Sequence, residues 1–250
     1  MTSKEFDDRL EALTRRYELP NSATGQLRAL VALLADDPLA PTAVRDPCRV
    51  IDDHIADSLV ALELERIHSA ASIADLGSGA GLPGLPLAIA LPAADVALVE
   101  SAARKAAFLE RAAVECGVPN ARIVRARVEE WGDGLGRFDV VAARALASFE
   151  VVVEYAAPVL RIGGTLIAWR GGRKAHEEAA AAETARVLGM EVGEIRAVHP
   201  YPEARFRHLH LFSKAKETPP GFPRRPGMAR KRPLAATAGP SRAPSDRARR

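Results

Sequence analysis

The sequence predicts a doubly wound, mostly parallel α/β sheet, on three observations. Short apolar runs alternate with segments of helical periodicity from residue 72 to residue 187. The first of those runs, "SIADL", leads into three closely spaced glycines, Gly77, Gly79 and Gly81, then Gly84 and an apolar segment of helical length. Two later strand-like runs, "EVGEIRAV" and "RFRHLHLFSK", have no helix between them and are expected to close the sheet as an antiparallel hairpin.

In chain order, residues 3–40 read as two amphipathic helices. Phe6, Leu10, Leu13 and Tyr17 fall at helical spacing, and Leu27, Leu30, Val31 and Leu34 do so after "PNSATG". "DDPLAPTAVRDP" is a loop, and "IDDHIADSLVALELERIH" reads as one further helix. Residues 1–68 are therefore expected to form a helical extension packed on the core. "SIADL", "DVALVE", "ARIVRARV", "FDVVAAR" and "GGTLIAW" are the parallel strands. "AARKAAFLERAAVECG", "FEVVVEYAAPVL" and "KAHEEAAAAETARVLG" are helices, the first ending at Gly117 as a C′ residue. Residues 69–216 form the ligand-binding domain of seven strands. From Thr218 onward proline, glycine and arginine dominate, so residues 217–250 are expected to be a disordered or extended tail.

With 250 residues, 48% of them hydrophobic, the chain can bury a substantial core. No apolar run approaches the length of a membrane span, and the charged start "MTSKEFDDRLEALTRRYELP" lacks the apolar region of a signal peptide. A cytoplasmic location follows as the expectation. Cys48 and Cys116 have no metal-ligand spacing and are read as reduced thiols, with no metal. The net charge of +3 is unevenly spread. Residues 216–250 hold ten Lys/Arg against two acids, for +8, leaving the rest of the chain at −5. Such a tail suits a polyanion such as nucleic acid.

Two ligands compete for the glycine turn. "GAGLPG" matches the dinucleotide pattern G-x-G-x-x-G, with Glu100 at the distance where that pattern wants an acid. "DLGSGAG" matches the D/E-x-G-x-G-x-G turn of S-adenosylmethionine-dependent methyltransferases. Both patterns use glycine to let backbone approach ligand. Ligand charge favours the second. Asp75 would repel a pyrophosphate and sit well beside a cationic methionine end, and Pro83 and Pro86 remove N–H donors from the helix start. Glu100 would then accept from the ribose hydroxyls, and Glu129 in "RARVEEW" from the adenine amine. The hairpin agrees, because it is what the Rossmann-like methyltransferase variant adds to the sheet.

After the fourth strand, "VVAARALASFE" contains no Asp/Asn-Pro-Pro-aromatic motif for amine methylation, and Cys116, late in a helix, is a poor nucleophile for carbon methylation. A ring nitrogen with a free lone pair, such as guanine N7, needs only alignment with the methyl group. Arg144 and Arg127, each just past a strand, are the candidate positioning groups for a guanine edge or a phosphate. His54, Asp57 and Ser58 share one helical face, expected to pack over the pocket or to pair locally.

From about Val44 to Leu234 the chain resembles the ribosomal RNA small subunit methyltransferase G family, also called glucose-inhibited division protein B. The resemblance rests on "VRDP", "HIADSL", "DLGSGAGLPGLPLAI", "ESAARKAAFL", "RVEEW", "AARALAS" and "TPPGFPRRPGMARKRPL". It implies N7 methylation of a guanine in the decoding-region loop of 16S ribosomal RNA, with S-adenosyl-L-methionine as cofactor and 16S RNA or the 30S subunit as partner. A monomer is expected, with no membrane partner. The family's cofactor contacts fall on Gly77, Leu82, Val128, Glu129 and Arg144, with Glu100 where an aspartate is common; Asp75, Gly79 and Gly81 complete the cofactor set. His54, Ser58, Lys105 and Arg127 match further motif positions. Lys105, Arg224, Arg225, Arg230 and Lys231 are the expected RNA contacts. One departure is Ala40-Pro41-Thr42, where the family often has Asn-Leu-Thr before "VRDP". The alternatives are a nicotinamide-dependent oxidoreductase and a noncatalytic RNA-binding ribosome assembly factor.

Overall fold

A computed structural model describes residues 3–234. Helices α1 (Ser3–Arg16) and α2 (Ala23–Asp36) open the chain. The single helix expected next is instead broken. α3 (Pro47–Val50) runs into a π turn over Ile51–Ala56, followed by α4 (Asp57–Leu59), a 3-10 turn over Val60–Glu63, and α5 (Glu65–His68). The sheet region is β1 (Ser72–Leu76), α6 (Gly84–Ala90), β2 (Asp95–Val99), α7 (Ala103–Glu115), β3 (Ala121–Val124), β4 (Phe138–Arg144), α8 (Phe149–Val159), β5 (Leu160–Arg170), α9 (Ala175–Val187), β6 (Met190–Val198) and β7 (Arg207–Lys214). α10 (Met228–Lys231) comes last.

The seven strands lie in the order β3-β2-β1-β4-β5-β7-β6. β1 pairs in parallel with β2 on one side and β4 on the other, and β7 is antiparallel to both β5 and β6. The predicted hairpin is therefore present, with its second strand inserted next to β5. The chain crosses from β1 outward to β2 and β3, then returns past β1 to β4. That reversal leaves a crevice beyond the carboxyl ends of β1 and β4, where ligands bind in open α/β sheets. Ile73, Ala74 and Leu76 of β1 are fully buried because helices cover both faces. α7 ends as expected: Gly117 takes φ +62°, and Val118 N–H donates to Ala113 O at 2.9 Å.

Each sheet face has its own core. One face packs with α1, α2, the broken helix, α6 and α7, so the N-terminal helices share a continuous apolar cluster with the sheet. The other face packs with α8 and α9. Every residue of α8 except Glu150 is buried, and a helix apolar on all sides needs cover on all sides. The sheet covers one side. The segment from Phe222 to Leu234 covers another, with Ala229 buried and Phe222 and Leu234 packed against the same core. Residues 218–234 thus depart from the loose tail that their composition suggests. Their contacts are made by a few well-placed groups, which proline and arginine content does not reveal. The rest of that expected tail, residues 235–250, lies outside the described residues.

Candidate functional site

The turn after β1 consumes its own backbone donors. Gly77 and Ser78 N–H donate to Val99 O at 2.8 and 3.1 Å, and Gly81 and Leu82 N–H to Ser78 O at 2.8 and 3.1 Å. Gly79 N–H donates to Glu100 Oε2 at 3.2 Å, Gly84 N–H to Asp75 Oδ2 at 3.0 Å, and Leu85 N–H to Gly81 O at 2.7 Å. A pyrophosphate would need those N–H groups and would face the Glu100 carboxylate. The turn therefore suits a ligand without phosphate. Gly81 (φ +84°) is needed for packing, since an added Cβ would overlap the Leu85 side chain. Gly79 (φ +58°) is open instead, with no atom nearer than 3.8 Å to where its Cβ would lie, which leaves room for a close approach.

A cavity of about 360 Å³ opens beside this turn, lined among others by Gly77, Glu100, Lys105, Arg127, Glu129 and Leu146. Glu100, at the end of β2, is 7% exposed. Its Oε1 accepts from Ala102 N–H at 2.8 Å, and with Gly79 on Oε2 about half of its accepting capacity is used. Glu129 Oε1 accepts from Tyr155 Oη at 3.1 Å and from Gly227 N–H at 2.9 Å. Tyr155 titrates above its ordinary range, first through burial and then through the Glu129 carboxylate. Val128 is buried in the cavity wall, whereas Lys105 and Arg127 are exposed at its rim.

Five of the expected cofactor residues stand apart from this lining: Arg144, which lies at a second cavity described below, and four residues at the turn. Gly79, Gly81 and the buried Leu82 belong to the turn rather than the wall. Asp75, 1% exposed, is turned into the turn, accepting from Ser78 Oγ and Gly84 N–H. Complete burial pushes its pKa up to about 6 despite those donors. Asp75 thus organises the turn from beneath and does not face the cavity, because Ser78 and Gly84 lie closer to it.

A second cavity, of about 500 Å³, lies past β4. Its lining includes Asp53, His54, Asp57, Arg144, Arg207 and His208. Ala145 lines both cavities and holds a left-handed φ of +52°. A non-glycine residue in that region is strained, and such strain concentrates at functional sites. Arg144 faces this second cavity. It donates to Asp57 Oδ2 at 2.7 Å and to Asp53 O at 3.3 Å. Asp57, 5% exposed, is steadied by the second cation Arg207, whose Nε lies 3.3 Å from Oδ1, and its carbonyl accepts from Trp169 Nε1 at 2.7 Å. His54 Nε2 lies 2.8 Å from Thr42 Oγ1, and burial followed by the Arg144 charge lowers the imidazole pKa. The π turn breaks the face expected for His54, Asp57 and Ser58. His54 and Asp57 reach the cavity, while Ser58 is fully buried and donates back to His54 O at 2.5 Å.

Of the expected RNA contacts, Lys105, Arg225, Arg230 and Lys231 are exposed and Arg224 is half-buried. Arg224 and Arg230 are engaged with the protein, Arg224 at Glu154 and Arg230 at Leu146 O. Tyr155, Ala145, Arg207 and Gly227 went unnoticed in the sequence. The uninterrupted apolar character of α8 around a single interior acid, Glu154, was the available signal for the segment that covers it.

A seven-stranded sheet of this order, with an antiparallel β7 and a glycine turn at the switch point, defines a Rossmann-like S-adenosylmethionine-dependent methyltransferase fold. Solved structures agree. A SAM-dependent methyltransferase from Aquifex aeolicus superposes with a TM-score of 0.52 at 14% identity, covering 67% of this chain and 93% of that one. Aeropyrum pernix fibrillarin, in complex with natively bound S-adenosyl-L-methionine, gives 0.51 at 18% identity over 63% and 72%. Sequence comparison is more specific. Residues 29–207 match the model of the rRNA small subunit methyltransferase G family. Proteins named ribosomal RNA small subunit methyltransferase G are similar to this chain in Rubrobacter xylanophilus, 40% identical over 76% of this chain and 75% of the relative, and in Chloroflexus aggregans, 43% identical over 77% and 82%. The chain belongs to the ribosomal RNA small subunit methyltransferase G family.

Among the described residues, no group of three or more His, Cys, Asp or Glu is placed to hold a metal ion, and no helix is long and apolar enough to cross a membrane.

Proposed function

We propose that this protein methylates N7 of a guanine in the decoding-region loop of 16S ribosomal RNA, with S-adenosyl-L-methionine as methyl donor. The observation that carries the reading is that Ala145 lines two cavities, one beside the glycine turn and one beside Arg144. A methyl group can pass between two ligands only where their sites touch.

The first cavity fits the cofactor. The turn has spent the amides a phosphate would need, Gly79 leaves open backbone, and Glu100 retains acceptor capacity for two hydroxyls. Glu129 is held by Tyr155 and Gly227, so its carboxylate is oriented before an amine arrives. Held there, S-adenosyl-L-methionine would supply an electrophilic methyl group on its sulfonium. Guanine N7 has a lone pair and carries no proton, so the chain has to align it and need not deprotonate it. Arg144, fixed by the Asp57 carboxylate, presents a planar fork suited to a guanine edge or a phosphate. Arg127 and Lys105 at the rim of the first cavity, with exposed Arg225 and Lys231, are suited to RNA phosphates.

Calorimetry separates this reading from the nicotinamide alternative: S-adenosylhomocysteine should bind and NADH should not. Transfer of labelled methyl groups to 16S RNA separates it from a noncatalytic assembly factor, which would bind RNA and transfer nothing.

A further inference from the structure

The basic segment near the carboxyl end has the composition of an RNA clamp, but Arg224 is held by a buried carboxylate and Arg230 by a backbone carbonyl. Glu154 lies in the middle of α8 and is 3% exposed. Arg224 meets it with two parallel hydrogen bonds, Nε to Oε1 at 2.6 Å and an Nη to Oε2 at 2.5 Å, and donates also to Arg232 O at 3.0 Å. A buried carboxylate needs such a partner, and the bidentate fork sets direction as well as charge. Ala229, 1% exposed, and the flanking Phe222 and Leu234 press into the same core.

Between those anchors the segment reaches the first cavity. Gly227, at φ +78°, turns its N–H to Glu129. Arg230 donates to Leu146 O at 3.0 Å. Gly227, Arg230, Leu146, Glu129 and Tyr155 all line that cavity. Leu146 also lies across Gly77, where an added Cβ would overlap its side chain. One segment therefore ties together the loop after β3, the loop after β4 and the helix α8.

We propose that residues 222–234 are a working part of the cofactor site. In this role Arg224 is a positioning residue: its latch on Glu154 holds Gly227 and Arg230 as the wall that orients Glu129 and Leu146 around the purine end of the cofactor. Arg224 then acts on the cofactor cavity through Glu154, Arg230 lines that cavity while staying exposed, and RNA phosphates are left to cations with no such contact there, such as Arg225 and Lys231. This inference rests on the reading of that cavity as the S-adenosylmethionine site.

Hydrogen exchange on the full-length wild-type chain, with and without S-adenosylhomocysteine, gives the first test. Peptides covering 222–234 should slow several-fold on binding, together with those covering 72–85. Protection of 72–85 with no change in 222–234 would overturn the inference. Calorimetry on Arg224→Gln should show S-adenosylhomocysteine affinity at least tenfold weaker, with Arg224→Lys intermediate because it keeps the charge and loses the fork. Affinity for a decoding-region RNA fragment without cofactor should change less than twofold. Wild-type cofactor affinity in folded Arg224→Gln would overturn the proposal, and if that variant does not fold, the exchange experiment on the wild type decides. Failure of the wild type to bind S-adenosylhomocysteine would instead remove the reading of the cavity, and this inference with it.

Discussion

Replacing Glu100 by glutamine isolates the charge at the end of β2 without changing its size. The carboxylate has about four acceptor sites, and two of them already serve Gly79 and Ala102 N–H. The remainder match two ribose hydroxyls. A glutamine keeps one acceptor oxygen and turns the other into an NH2 group, which meets one of the two backbone N–H groups donor to donor. Hydrogen bonds to a charged acceptor contribute about 1.5–3 kcal/mol, so losing them on one side should weaken S-adenosylhomocysteine binding about 10- to 150-fold. Isothermal titration calorimetry reads the effect, with circular dichroism confirming the fold. An affinity within twofold of wild type, in a folded variant, would refute the assignment of Glu100 to the ribose.

Asp57→Asn should leave cofactor affinity near wild type and raise the KM for RNA, because it releases Arg144 and Arg207; thermal unfolding should show a loss of about 1–3 kcal/mol. Stability should respond to acid through two opposed groups. Burial holds His210 neutral down to about pH 4 against an ordinary 6.5, so the unfolded chain binds its proton first, and stability is lost as pH falls from 6.5 to 4. Asp75 is raised from 3.8 to about 6, so the folded chain binds its proton first, and stability is gained as pH falls from 6 to 3.8, by up to about 3 kcal/mol. Melting temperatures across pH 4–7 should therefore fall more steeply with acid in Asp75→Asn and less steeply in His210→Gln; parallel curves for all three proteins would rule this out. Truncation after residue 216 removes Arg224 from buried Glu154 and should cost about 3–5 kcal/mol in a denaturant melt; an unchanged denaturation midpoint would rule this out.

The sheet was readable from the sequence for a specific physical reason. Central parallel strands are buried on both faces, so "SIADL" and "DVALVE" appear as apolar runs, and glycines mark the turn where backbone must bend back. Helix periodicity likewise exposes α1, α2 and α7. The break at residues 51–56 was hidden, because a π turn shifts the phase of a periodic pattern without changing its composition. Asp75 was found by motif, but its direction was decided by Ser78 and Gly84, which a motif does not weigh. Residues 218–234 read as a tail because proline and arginine report on local propensity. The contact that orders them, Arg224 with Glu154, joins positions 70 residues apart.

Glu100 and Glu129 could be found by their places after β2 and β3. Gly227, which holds Glu129, could not, since nothing local in "RPGMARK" points to a carboxylate almost a hundred residues away. The same distance explains why Arg224 and Arg230 read as free cations in the sequence and turn out to be engaged.

Mapping of N7-methylguanosine in 16S RNA bears most directly on the proposed reaction. 30S particles lacking the modification, incubated with the purified chain and S-adenosyl-L-methionine, would be digested and analysed by mass spectrometry. The expected result is one N7-methylguanosine in the decoding-region loop, absent without protein and greatly reduced with Glu100→Gln. Incorporation at another atom or in another loop, or none despite tight binding of S-adenosylhomocysteine, would contradict it.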